Sequence, residues 1–172
     1  MNEIGLGSDN IEETSAKTIP ISDKEKQENA KKIAEQLLND KDLGLNKEQV
    51  AGILGNIGLE SGGFNPSAVN PNDNGKVSSG LVQWRGERRE AFKRIYGKYP
   101  EEASIEEQVD FIKRELLSSE SATLKALKSH VNGTPGQYAE IFMKKYERPS
   151  SDPKVNQIEI RKGIANGSAD LI

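Results

Sequence analysis

Three glycines recur at three-residue intervals along one predicted helix: Gly52, Gly55 and Gly58, interleaved with Val50, Ile53, Leu54 and Ile57. No other feature of the chain restricts its fold so tightly. Glycine costs about 1 kcal/mol relative to alanine inside a helix, so three of them need compensation. Close approach supplies it, either from a second helix packed against the backbone or from a substrate lying along it. The helix start is well marked. Asn46 is a good N-cap and Gln49 stands three residues on, as in a capping box.

Helical periodicity also marks the segments around this one. Ala30, Ile33, Ala34, Leu37 and Leu38 form the stripe of a helix running to about Asn39, with Ser22 or Asp23 as its cap. Further helices are predicted over about 87–96, 105–117, 122–129, 136–146 and 153–166. From Ser61 to Ser79 the pattern fails, and Gly, Asn, Pro, Asp and Ser dominate. The run Asn70-Pro71-Asn72-Asp73-Asn74-Gly75 is a turn signal, and Asn74-Gly75 suits the turn of a small β-hairpin. Residues 1–22 are rich in Gly, Ser, Thr, Asn and Glu without a sustained period, and read as a flexible tail or linker. The expected architecture is one mainly α domain over 23–172, with a small β-hairpin insertion after its second helix.

Composition narrows the function. The 172 residues carry a formal net charge of -3 and leave no basic footprint for nucleic acid. There is no cysteine and only His130, which reads as structural near a helix end. Disulfides and thiol chemistry are excluded, and a histidine-based metal site or zinc peptidase is poorly supplied. No cofactor is expected. No apolar run approaches the ~18 residues of a membrane span. Met1-Asn2-Glu3-Ile4-Gly5 lacks the charged and apolar regions of a signal peptide.

The chemistry is concentrated in Gly58-Leu59-Glu60-Ser61-Gly62-Gly63-Phe64-Asn65-Pro66. Glu60 falls at the C-terminal end of an apolar helix, before a glycine-rich loop. Apolar neighbours such as Ile57, Leu59 and Phe64, together with the negative end of the helix dipole, favour the protonated carboxyl. That is the property of a general acid. An ordinary solvated residue at a helix end is the alternative from position alone.

About twenty residues later comes Ser78-Ser79-Gly80-Leu81-Val82-Gln83-Trp84. Glu60-Ser61 through Gln83-Trp84 resembles the active-site segment of the lysozyme superfamily. The chain is most similar to the phage tail lysozymes, through Gly-Ile-Leu-Gly-Asn-Ile at 52–57, Glu-Ser-Gly-Gly-Phe-Asn-Pro at 60–66 and Gly-Leu-Val-Gln-Trp at 80–84. Arg88-Arg89 and Tyr-Glu-Arg-Pro at 146–149 extend it. The resemblance spans most of 28–166. It implies an α+β lysozyme-like fold with the hairpin beside an active-site cleft.

The resemblance further implies a peptidoglycan-degrading glycosidase that cuts between N-acetylmuramic acid and N-acetylglucosamine. Glu60 would protonate the glycosidic oxygen, the role for which lysozyme is itself the type case. Gln83 would bind a sugar or a water, or else a hairpin group. Trp84 would pack on a sugar face, or else in the core. Tyr146 resembles the superfamily tyrosine that points towards the acid. Arg148 is expected to lock a helix end by pairing with a carboxylate.

The expected second carboxylate is absent. Animal lysozymes carry Asp two residues before the Gly of Gly-Ile-Leu-Gln, and Ser78 occupies that position here. Asp73 is the nearest alternative, or a turn residue. Water activated by Asp73, water activated by Glu60 with Ser79 and Gln83 holding it, and lytic transglycosylation to 1,6-anhydro products all remain open. The resemblance implies glycan strands as partner, and a virion tail location acting on the host wall after synthesis in the host cytoplasm. Residues 1–22 would then link to other tail proteins. An endolysin, or a non-catalytic tail module of lysozyme-like fold, are the alternatives.

Overall fold

The computed structural model describes residues 16–172. Its centre is α2 (Lys47–Glu60), in which every residue from Gln49 to Gly58 is buried. The capping box forms as predicted, with Asn46 and Gln49 each accepting from the other's backbone N–H. Two later helices, α6 (Pro135–Phe142) and α8 (Ile158–Leu171), pack directly on α2.

The glycines explain that packing. A Cβ at Gly52 would lie 2.6 Å from Tyr138 Cβ on α6. At Gly55 it would strike the Arg161 carbonyl oxygen on α8 and lie 2.9 Å from Ala165 Cβ. At Gly58 it would meet Ile164 Cγ2 at 2.8 Å. Contact with other parts of the chain therefore accounts for all three. Asn56 completes the joint, donating to the Ala139 carbonyl at 3.0 Å and accepting from Arg161 Nη1 at 2.8 Å.

The remaining helices enclose this centre. They are α1 (Lys24–Leu38), α3 (Glu87–Tyr96), α4 (Ile105–Leu116), α5 (Ser121–Ser129) and the short α7 (Pro153–Asn156). Asp23 caps α1, and Ser104 and Thr134 form capping boxes for α4 and α6. The predicted hairpin is present: β1 (Val69–Asp73) and β2 (Lys76–Ser79) run antiparallel, Asn70 opposite Ser78. Asn74 and Gly75 both have positive φ, 53° and 85°, as a type I′ turn requires. A two-residue β3 (Trp84–Arg85) pairs with β2, giving a three-stranded sheet in the order β1-β2-β3. The fold is mainly α with a small sheet, as the sequence implied.

Three local departures have physical causes. The predicted helix over 153–166 breaks at Gln157, which turns left-handed at φ 58° while Asn156 Oδ1 caps the next helix at Ile158 N. The helix over 136–146 widens at its end, where Met143–Glu147 form a π turn closed by Arg148 N to the Met143 carbonyl at 2.7 Å. Of the expected tail, residues 1–15 lie outside the described residues. Residues 16–21 lie along α8, with Ile19 N bonded to the Gly163 carbonyl and Asn166 Nδ2 to the Ala16 carbonyl. Gly163 admits this segment, since a Cβ there would come within 2.8 Å of Ile19 Cδ1. Among the described residues no helix is long and apolar enough to cross a membrane.

Candidate active site

Glu60 is the last residue of α2, and the chain leaves it in a tight turn. Gly63 N bonds to the Gly58 carbonyl at 2.8 Å and Gly62 N to the Leu59 carbonyl, with Gly62 left-handed at φ 67°. These two bonds define a Schellman ending, which glycine adopts without strain. Asn29 on α1 pins the loop by donating to the Phe64 carbonyl at 3.0 Å. The Glu60 backbone is thus fixed on both sides.

Its carboxylate borders a cleft of about 820 Å³. The sheet, with the turn that leads into β3, forms one wall through Asn70, Asp73, Ser78, Gln83 and Arg85; the π turn with its closing Arg148 and α8 form another through Glu147, Arg148 and Arg161. The Glu60 side chain is 20% exposed, and its Oε2 accepts from Arg161 Nη2 at 2.7 Å. Burial pushes the Glu60 carboxyl above the usual carboxylate range. The Arg161 guanidinium pulls it back down, and the negative charge of Asp73 across the cleft adds to the rise. A carboxyl balanced in this way can hold a proton at the mouth of a cleft and release it to a bound group.

Arg161 had no signal in the sequence. It lies 101 residues from Glu60 and is itself buried, bonded also to the Asn56 side chain and, at 2.8 Å, to the Asn156 carbonyl. Glu147 was equally hidden. It lines the cleft from the π turn, its Oε1 is buried, and burial with the Glu60 charge raises its carboxyl well above the ordinary range. Within Tyr-Glu-Arg-Pro at 146–149 the resemblance assigns Glu147 no role.

The residues anticipated from the sequence divide into two groups. Asp73 faces the cleft and forms a 3.5 Å ion pair with Arg85. Gln83 also lines it, but its side chain is occupied. It donates to the Ala68 and Gly80 carbonyls and accepts from Ser78 Oγ at 3.0 Å, so it braces the hairpin. Gln83 itself sits at φ 57°, a conformation these bonds hold in place.

The other three point elsewhere. Ser79 is fully buried and bonded to Arg89 Nε at 3.0 Å. Trp84 is 1% exposed, packed against Phe92 and Phe111, and therefore belongs to the core instead of serving as a sugar platform. Tyr146 is buried, and its hydroxyl donates to Glu115 Oε1.

Glu115 on α4 is the hub that all this serves. It accepts from Trp84 Nε1 at 3.0 Å, from Arg88 Nε and Nη2 at 2.8 Å each, and from Tyr146. Arg88 also donates to the Tyr146 carbonyl at 3.0 Å. Arg148 pairs with Glu120, as expected of a helix-end lock. The π turn is thereby held on both flanks of Glu147.

A helical domain in which a half-buried carboxyl ends the central helix, facing a small sheet across a cleft, is the lysozyme-like arrangement. The chain belongs to the phage tail lysozyme family, whose model matches residues 28–172. That membership gives it a phage lysozyme-like, peptidoglycan-degrading function. No curated protein matches the chain.

Proposed function

We propose that the chain is a muramidase that cleaves the bond between N-acetylmuramic acid and N-acetylglucosamine, with Glu60 as general acid. The observation that carries this reading is the position of Glu60: fixed at the end of α2, its carboxyl raised above the usual carboxylate range by burial, and open to the cleft. A glycan strand laid between the sheet and the π turn brings a glycosidic oxygen to that carboxyl. Protonation of the leaving oxygen lets the bond break through an oxocarbenium-like state. Asp73, whose charge is felt at Glu60, is the cleft carboxylate available to activate water from the hairpin side.

Lytic transglycosylation is the second reading. Ser78 favours it, since it lines the cleft at the position where animal lysozymes carry their second carboxylate. In that chemistry the substrate's acetamido group attacks and the muramyl 6-hydroxyl closes a 1,6-anhydro ring. Biologically, the enzyme acts from the virion tail on the host wall during genome entry, with the N-terminal segment linking it to other tail proteins. An endolysin role is the alternative.

Glu60→Gln is expected to abolish clearing of a cell-wall suspension while the helix content read by circular dichroism stays that of the wild type. Full activity in that variant refutes Glu60 as the acid. Mass spectrometry of the released muropeptides separates the two chemistries. Reducing muramic acid ends support hydrolysis, and anhydro ends replace it with transglycosylation.

A further inference from the structure

Glu147 has no part in the mechanism above, yet its surroundings are unusual for a carboxyl group. It closes the π turn directly before Arg148, which is left-handed at φ 53°. The backbone on either side is held, by Arg88 at the Tyr146 carbonyl and by the Arg148–Glu120 pair. The side chain lines the cleft that Glu60 lines. Its Oε1 is buried and has no hydrogen-bond partner among the described residues.

The charges that act on it stand on four other elements. Glu60 stands on α2, Arg161 on α8, Arg88 on α3 and Glu115 on α4, while Asp73 of β1 faces Glu60. The buried Tyr146 phenol beside it has its ionisation pushed far up and stays neutral. Most of these charges are committed. Arg88 is bonded to Glu115, Arg148 to Glu120, Asp73 to Arg85, and Arg161 to Glu60. Two carboxyl groups are then left to one guanidinium. With Arg161 cationic, one carboxylate is compensated and the other needs a proton.

We propose that Glu147 is a positioning residue that shares a single proton with Glu60, the two carboxyls and Arg161 titrating as one unit. This rests on the reading of Glu60 as the acid. In the resting protein the proton sits on Glu147, while Glu60 pairs with Arg161. When the proton is on Glu60, the Glu147 carboxylate takes over the compensation of Arg161. Like charges that face one another resist ionising together. The second carboxylate thus keeps the acid form of Glu60 populated at higher pH than Arg161 alone allows.

The test is the pH profile of wall clearing. Glu147→Gln leaves Glu60 facing Arg161 without its rival, so the alkaline limb moves to lower pH, by about one unit or more. Glu147→Asp restores the limb towards wild type. A profile superimposed on wild type, or one lowered equally at every pH, overturns the proposal. Carboxyl ¹³C NMR of the glutamate-labelled wild-type protein reads the same coupling without turnover and needs no folded variant. Shared, two-step curves for Glu60 and Glu147 support the unit; independent single-step curves overturn it. The two readings fail separately. An active Glu60→Gln removes the acid, whereas an inactive Glu60→Gln with an unshifted Glu147→Gln limb removes only the sharing.

Discussion

Gly55→Ala tests whether the helix joint governs the site. The added methyl would strike the Arg161 carbonyl and approach Ala165 Cβ at 2.9 Å. An ordinary carbon–carbon contact needs roughly 3.5–4.0 Å. α8 must therefore retreat from α2 by roughly 0.6–1.1 Å. Overpacking of this kind costs about 1–3 kcal/mol, and the better helix propensity of alanine returns about 1 kcal/mol. Because the obstacle is backbone on a packed helix, the upper end applies, and the net cost is about 2 kcal/mol. For a domain of this size that lowers Tm by roughly 4–8 °C.

Activity should fall further than stability. Arg161 rides on the displaced turn, and a misplacement of about 1 Å remote from the chemistry can cost on the order of 10²-fold in rate. Scanning calorimetry and turbidity clearing, both at a temperature where the variant is folded, separate the two effects. A Gly55→Ala protein with wild-type Tm and wild-type clearing would refute the idea that these glycines set the distance between Glu60 and its arginine.

Other expectations follow from the charged groups. Arg161→Ala leaves the Glu60 carboxylate without its cation and opens a hole beside Asn56. The expected loss is about 3–5 kcal/mol, read by denaturant unfolding, with the alkaline limb of activity moved upward in pH. Glu115→Ala strands Arg88 and removes the partner of Trp84 and Tyr146, so a loss of about 3–5 kcal/mol is expected there too; a drop under 1 kcal/mol would show that the hub is not structural. The raised Glu60 and Glu147 carboxyls bind protons in the folded state that the unfolded chain has released. Their contribution to stability is therefore full below the ordinary glutamate value of about 4.3 and is lost as pH rises through the folded values. Glu147→Gln should flatten that decline between acid and alkaline pH, measured as the difference in unfolding free energy from wild type.

The helices were legible because burial imposes a period. α1, α2, α3 and α4 start and stop within a residue or two of where apolar spacing and caps put them. Asn74-Gly75 announced its turn because few residue pairs tolerate two positive φ angles. What escaped has no local signature. β3 is two residues long, too short for alternation to show. The break at Gln157 depends on Asn156 reaching forward to Ile158 and back to Ser150. The π turn depends on Arg148 being drawn to Glu120.

The site divides along the same line. Glu60 could be picked out because its surroundings are adjacent in sequence: an apolar helix before it and glycines after it. Arg161 and Glu147 could not, since each gains its meaning only when α8 and the π turn close on α2. Trp84 and Tyr146 were recognisable as belonging to the motif. Their side chains were drawn instead to Glu115, a polar group buried on α4 whose partners come from three other segments.

That arrangement around Trp84 has an optical consequence. It is the chain's single tryptophan, so all indole emission arises from one point. The point is the junction where the sheet, α3, α4 and the π turn meet through Glu115. Wetting of that junction will shift the emission to longer wavelength before any change in helix content need occur. The protein thus carries an internal gauge of whether the wall of its cleft is still fastened, readable in the absence of any added label.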